Sequence, residues 1–337
     1  MNMLENIKVV VLADRLTDFG GSILARLGAD VVVFPLNDDL TAAQKAAWHL
    51  GMRSATKSLS ETIAEADILL DDRRSGPNED VDKIVAGNSA LIHVVVTGWP
   101  ESTPQRPSTD LTLMAQSGLM KVIGSPDRPP LRLAGEQGYA LTGIQAATAA
   151  LMGLQARHRT GKGQRIALSA LQSAALSNYR EAIMYEWTGR IGMRNGNLLV
   201  RGKSAVQQVW PCKDGYVTWA MVDNPGMMQA VVRIMEEEGC AGELSDIDWP
   251  NILVADTDQD LIDRWQSIFG AFFATKTREE LQNWSVEHGW GLSPISKLSE
   301  VPQSTQMVAR DVFVDSETGR PVPSRLFAVH EPGSAKS

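Results

Sequence analysis

Residues 7–34 read IKVVVLADRLTDFGGSILARLGADVVVF, and their hydrophobic rhythm decides the fold class. The run Ile7–Ala13 is continuous and rich in β-branched residues, as in a strand buried on both faces of a parallel sheet. Thr17–Leu27 carries the spacing of a helix, with Gly28 as its stop signal. Ala29–Phe34 is a second apolar strand. Strand, helix and strand in one short stretch make a βαβ unit, which requires parallel pairing. Working outward, Ala66–Leu70 (ADILL) and Ser89–Thr97 (SALIHVVVT) supply further strands separated by helical stretches. The first hundred or so residues are therefore expected to form a doubly wound α/β layer. The turn after the first strand, DRLTDFGG, is not GxGxxG, which argues against a dinucleotide cofactor.

Further along, Tyr139–Arg159 reads as one long Ala-rich helix, apolar on nearly every face. A helix of that kind is expected to be buried, here at a subunit or domain contact. Gly161-Lys162-Gly163 ends it and Arg165–Leu168 follows as a strand. Arg194–Lys203 (RNGNLLVRGK) is polar, basic and Gly-containing, and reads as a linker. Beyond it, Gln207–Ala220 reads as two strands around an Asp214-Gly215 turn. Asn224–Gly239, Gln259–Ala274 and Arg278–His288 read as helices, giving a small α+β lobe rich in Trp. From Gly291 the pattern becomes irregular, and from Gly319 ragged.

The chain has 337 residues, 43% hydrophobic and 21% charged, the composition of a globular protein with a sizeable core. That length predicts two lobes. A net charge of −8 without Lys/Arg runs argues against broad nucleic-acid binding. The apolar run near the N-terminus is broken by Asp14 and Arg15, too short for a signal peptide, and no segment reaches membrane-spanning length. Cys212 and Cys240 make neither a disulfide framework nor a CxxC site, and the 5 His are scattered, so no metal site is expected. Cytoplasm is the compartment these features imply.

Residues 110–164 combine an Asp, a Gln-Ser-Gly turn, a Gly/Pro-rich loop, a long helix and a Thr-Gly-Lys-Gly-Gln turn. That order resembles the class III coenzyme A transferases, the group of formyl-CoA transferase, carnitine CoA-transferase and α-methylacyl-CoA racemase. SGLMKVIGSPDRPPLR (117–132) and RHRTGKGQRIALS (157–169) are the most specific pieces. DFGGSILARLGADVVVFP (18–35), WPCKDGYV (210–217) and GLSPISKLSEVPQSTQMVARDVF (291–313) match in the right order. The resemblance implies a Rossmann-like large domain over residues 1–195, a small α+β domain over 196–295 and a segment, 296–337, returning to the large domain. It also implies an open-ring subunit that interlocks with a second one. No covalently bound cofactor is implied; coenzyme A enters as acyl-CoA substrate, with a carboxylic acid as acceptor. In such enzymes a carboxylate attacks the thioester, and an enzyme-bound anhydride and then a thioester follow.

Tyr139 stands three residues before Thr142-Gly143, where the family pattern places that aspartate. A phenol with pKa about 10 is a poor nucleophile and cannot form an anhydride. Tyr139 either fills the volume of an abandoned site or orients a substrate carbonyl. Glu136 in PPLRLAGE follows Pro-Pro-Leu at the offset of the racemase branch's catalytic carboxylate, and otherwise is a solvated loop residue. The racemase pattern needs a His before Asp110, and Thr109 stands there, which disfavours racemisation. For the CoA phosphates the resemblance points to Arg53 and Lys57 in HLGMRSATK and to Arg73 and Arg74 in LLDDRRSG; arginine can fork onto two phosphate oxygens. Gln116, Ser117 and Gly118 match the turn beside the pantetheine arm. Arg132 either faces an acyl carboxylate or pairs with Asp127. Cys212, in a strand without a nearby His, reads as a structural thiol. Trp210, Trp219 and Trp290 either line an aromatic pocket or form core.

EEEGCAGELSDIDW (236–249) and FFATKTREELQNW (272–284) resemble the succinyl-CoA:benzylsuccinate CoA-transferase subfamily, which pairs two related subunits of which one carries the aspartate. Three readings follow: an active transferase using Glu136 or another carboxylate, the aspartate-lacking subunit of a heteromer, or a non-catalytic CoA-ester-binding or regulatory protein. Homodimer and heteromer both remain open here. Relatives continue past PVPSRLFAVHEPG (321–333) with a ring-closing helix, so ring closure by this sequence alone is not expected.

Overall fold

A computed structural model describes residues 3–37, 39–315, 319 and 321–323. It divides into two compact units. The first contains Met1–Ile123, Pro130–Gly192 and Pro302–Ser337; the second contains Gly124–Pro129 and Met193–Val301.

The first unit begins with β1 (Lys8–Ala13), α1 (Asp18–Arg26), β2 (Asp30–Pro35), α2 (Ala42–Trp48), β3 (Arg53–Ser54), α3 (Leu59–Ala64) and β4 (Ile68–Asp72). It continues with α4 (Glu79–Val85), β5 (Ile92–Thr97), α5 (Asp110–Gln116), α6 (Gln137–Thr160), β6 (Gln164–Ser169), α7 (Ala170–Leu176) and α8 (Tyr179–Thr188). All pairings in its six-stranded sheet are parallel, in the order β3-β2-β1-β4-β5-β6. The β-branched runs explain the sheet: Val9–Leu12 of β1, Ile68–Leu70 of β4 and Val94–Val96 of β5 are buried on both faces. One layer of core joins Val9, Val11, Leu70 and Val94 to α1 and α6; another joins Val10, Leu12 and Leu69 to Ile63 and Val81. The order reverses between β1 and β4, and in open α/β sheets ligands bind outside the carboxyl ends of strands at that point.

Within the single chain, the long helix α6 is packed along one side. It buries a single stripe, Gly138, Tyr139, Thr142, Gly143, Ala146, Ala147, Ala150 and Gly153, while Ile144 and Met152 on its other side are exposed. The stripe works because it is small. A side chain at Gly143 would place its Cβ 2.8 Å from the Gly20 nitrogen and from the Phe19 Cβ. Glycine therefore lets α1 and α6 cross backbone to backbone.

The second unit opens with β7 (Leu198–Arg201) and β8 (Ser204–Gln207), an antiparallel pair. The stretch read as a linker thus contains a whole strand; its polar residues conceal Leu198–Val200. Then come β9 (Val209–Cys212) and β10 (Gly215–Thr218), the expected hairpin, followed by α9 (Pro225–Glu237), α10 (Gln259–Thr275), α11 (Arg278–His288) and β11 (Ser293–Pro294), which adds to β10. Trp210, Trp219 and Trp290 are buried together with Phe269 and Phe273. Core, rather than an open aromatic pocket, is where these indoles belong. α12 (Thr305–Ala309), β12 (Phe313–Asp315) and β13 (Pro321–Pro323) complete the described chain. The expected ragged tail lies mostly outside the described residues. Among the described residues no helix is long and apolar enough to cross a membrane.

Candidate active site

At the switch point the chain leaves β1 through Asp14 and Arg15 and leaves β4 through Asp72. Asp72 is buried and acts as a clasp. Its Oδ2 accepts the N–H groups of Asp14 (3.1 Å) and Leu16 (2.6 Å), and its Oδ1 accepts that of Arg74 (2.9 Å). Burial pushes its carboxyl well above the usual range despite these donors. Asp14 takes the opposite course. Burial raises its pKa, but donors from Arg74 Nη2 (2.5 Å), Asn37 (2.8 Å) and Ser75 (2.7 Å) outweigh that, and the carboxyl ends below its ordinary value. Arg74 also donates from Nε to the Asp14 carbonyl at 2.9 Å, so its head is fixed over the rim.

Arg15 adopts φ +86°, a left-handed conformation that costs a non-glycine residue energy. Its N–H donates to Asp18 Oδ2 at 2.8 Å, and Asp18 Oδ1 lies 2.6 Å from His49 Nε2. The Arg15 guanidinium stands 3.2 Å from Asp39 and 4.0 Å from Glu136, and its Nη1 is buried without a hydrogen-bond partner.

The N-terminus of α6 faces the same rim. Asp110, at the first turn of α5 and behind a Thr109 capping box, accepts the N–H groups of Gly138 (2.7 Å) and Tyr139 (3.2 Å) on Oδ1. It thereby supplies to α6 the cap that Glu136 withholds: Glu136 is the N-cap residue but makes no side-chain cap bond. A Cβ at position 138 would sit 3.1 Å from that oxygen, so a side chain there would crowd the approach. Asp110 Oδ2 is buried and unpartnered. Tyr139 is 5% exposed. Burial pushes its phenol above its ordinary value, and the neighbouring Arg74 guanidinium only partly opposes this. The geometry gathers a neutral phenol, a fixed arginine and a largely buried glutamate at one rim. Such a set can hold an anion and donate hydrogen bonds to a carbonyl.

Of the residues singled out in the sequence, Glu136, Tyr139 and Arg74 meet here. Arg73 does not. Its side chain lies among Asp71, Asp82 and, through Asp71, His93, with Nε 2.8 Å from Asp71 Oδ2. It is a buried structural ion-pair residue. Arg53 forks onto Asp30 at 2.7 and 2.9 Å and Lys57 reaches Glu65 at 2.9 Å. Both border a cavity of about 210 Å³ that also involves Lys8, the first residue of β1, and so lies toward the amino-terminal rim. Gln116 is exposed; Ser117 Oγ donates to the Met114 carbonyl, and Gly118 makes a φ +84° turn. Arg132 is exposed and donates to the Gly135 carbonyl at 3.0 Å, with no bond to Asp127. Burial raises the Cys212 thiol, which lies 3.6 Å from Asp214, a poor setting for a nucleophile. Sequence reasoning missed Asp14, Arg15, Asp18, His49 and Asp72. For Asp14, Arg15 and Asp72 the one visible signal is charge placed directly at the ends of buried strands.

Several known proteins are similar. A CAIB/BAIF family protein from Brucella suis superimposes with TM-score 0.81, at 24% identity, over 96% of this chain and 92% of that one. Succinyl-CoA:(R)-benzylsuccinate CoA-transferase subunit BbsE of Thauera aromatica is 24% identical over 74% of this chain and 62% of its own length. Succinate–glutarate CoA-transferase of Agrobacterium fabrum is 27% identical over 69% of this chain and 66% of its own. The chain thus spans somewhat under two thirds of these two relatives. The model of CoA-transferase family III matches residues 42–335, and the chain belongs to that family.

Proposed function

We propose that the protein is a cytoplasmic CoA-transferase subunit that lacks the carboxylate nucleophile and works with a related, aspartate-bearing subunit, moving CoA between an acyl-CoA and a carboxylic acid. The observation that carries this reading is the state of Tyr139. The frame around it is built as for a reactive group: the helix N-terminus, the Asp110 clasp on its N–H and the Arg74 guanidinium are all present. Yet the group in the frame is a phenol held protonated by burial, which cannot carry an acyl group as an anhydride.

A second subunit has a surface to meet. Helix α8 has no buried residue, and Tyr179, Ile183, Tyr185 and Trp187 are exposed, Trp187 to 84%. An apolar patch of that extent favours association, and we assign it to the interlocked pairing of an open-ring subunit. BbsE is itself named as a subunit.

The aspartate-bearing partner would attack the thioester carbonyl, expelling CoA thiolate and forming a mixed anhydride. The thiolate would return to the enzyme carboxyl group, releasing the first acid, and the acceptor acid would complete the exchange. In this chain Arg74 and Arg15 offer charge to the bound ester, and Arg53 and Lys57 would take the nucleotide only by exchanging their present carboxylate partners. A second reading rests on Glu136, whose carboxylate is free of cap bonds and faces Arg15. The test is acyl transfer by the purified chain, alone and co-purified with an aspartate-bearing relative, using succinyl-CoA and a panel of acids. Activity only in the complex is expected. Full activity of the chain alone, abolished by Glu136→Gln, would transfer the role to Glu136.

A further inference from the structure

Beside the rim, among residues of α1, α2 and the start of α6, lies a cavity of about 310 Å³. Phe19, Ala47, Trp48 and Ala140 wall it, and Arg26 and Glu136 contribute its charges. Phe19 and Trp48 meet edge to face, with ring centroids 5.7 Å apart. The Arg26 guanidinium lies 5.6 Å from the Phe19 centroid. Its Nε donates to the Ser22 carbonyl (3.2 Å) and its Nη1 to the Pro323 carbonyl (2.8 Å), but Nη2 is buried and has no acceptor.

Several other arginines of the large unit are satisfied differently. Arg53, Arg73, Arg74 and Arg157 each face a carboxylate. Arg26 hydrogen-bonds only to carbonyls among the described residues, and burial lowers its pKa. A half-buried cation whose Nη2 has no acceptor is costly unless a ligand completes it. A cavity with aromatic walls and one convergent charged donor has the character of a small-molecule site.

We infer that this cavity binds a small organic carboxylate with an aryl or alkyl body, its carboxylate on Arg26 Nη2 and its hydrocarbon between Phe19, Trp48 and Ala140. The unpartnered Nη2, with its two N–H groups, suits a carboxylate better than a phosphate, which would demand donors from further side chains. The Glu136 carboxylate at the cavity edge disfavours dianions. Neither Tyr139 nor Arg74 lines the cavity, while Glu136 borders both the cavity and the rim.

Ligand-observed fluorine NMR with 4-fluorobenzoate, on the full chain, tests it. Saturable binding is expected, while the neutral isostere 4-fluorobenzamide should not compete. Arg26→Gln should weaken binding by about tenfold or more, the worth of a charge-assisted contact. Ala140→Leu, which fills the cavity and leaves Arg26 intact, should abolish it, so a folding defect in one variant does not decide the outcome. Glu136→Gln should keep or tighten binding. The proposal is overturned if 4-fluorobenzamide binds equally, if Ala140→Leu binds unchanged, or if no saturable binding is seen. Loss of CoA-ester binding by the unmodified chain would instead count against the transferase reading and leave this site untouched.

Discussion

At the amino-terminal rim of the large sheet, Lys8, Arg53 and Lys57 are ion-paired with Glu65 and Asp30, and these side chains are all about half exposed. At the carboxyl-terminal rim, Asp14, Asp72, Asp110 and Tyr139 are 5% exposed or less. Both rims carry ionisable groups; the cost of holding them differs. Exposed pairs are screened and contribute little. Buried polar groups must be satisfied one by one, and each unsatisfied atom needs a reason. Arg15 Nη1 and Asp110 Oδ2 are such atoms, and both lie at the carboxyl-terminal rim. A basic cluster on the surface is thus a weaker pointer to a site than a buried group left incomplete.

Mutations should expose this asymmetry. The largest effect is expected from Asp110→Ala. It strips the acceptor from two N–H groups at the start of α6 and should lower stability by about 3 kcal/mol, read from the urea midpoint. A loss below about 1 kcal/mol would mean that Asp110 is not the clasp of α6.

Asp14→Asn should cost less, on the order of 1 kcal/mol at pH 7, and its effect should depend on pH. Because the folded carboxyl lies below its ordinary value of 3.8, the stability it contributes is present above pH 3.8 and is lost as pH falls through the folded value. The gap between the native chain and Asp14→Asn should hold at pH 7 and pH 5, then close on further acidification. A gap that widens below pH 3.8 would contradict the assignment. At the opposite rim, Arg53→Ala should change stability by no more than about 0.5 kcal/mol, and less still at high salt. A larger loss would erase the contrast between the rims.

Much of the sheet was legible because continuous β-branched runs admit few other structures. The hairpin at Asp214-Gly215 and the helix Arg278–His288 were legible for similar local reasons. The arginine pair was not. Successive residues at the end of β4 point to opposite faces, so Arg73 joins Asp71 and Arg74 meets Asp14. The motif alone gives no phase and could not tell the structural arginine from the one at the rim. The same holds for α6, whose apolar composition hid which stripe is packed; only the glycine spacing against α1 fixes it. The Arg194–Lys203 stretch was misread because its charges mask three apolar residues that pair with β8. Asp110 and Asp72 could not be placed because their partners are backbone groups distant in sequence.

The most direct test of a nucleophile-deficient rim is hydroxylamine trapping after incubation with succinyl-CoA, comparing the unmodified chain with Tyr139→Asp. No acyl-enzyme should form on the unmodified chain, and the variant should yield a hydroxamate at residue 139, since the frame that holds the position is intact. Trapping on the unmodified chain at Glu136, with none gained in a folded Tyr139→Asp variant, would contradict the reading.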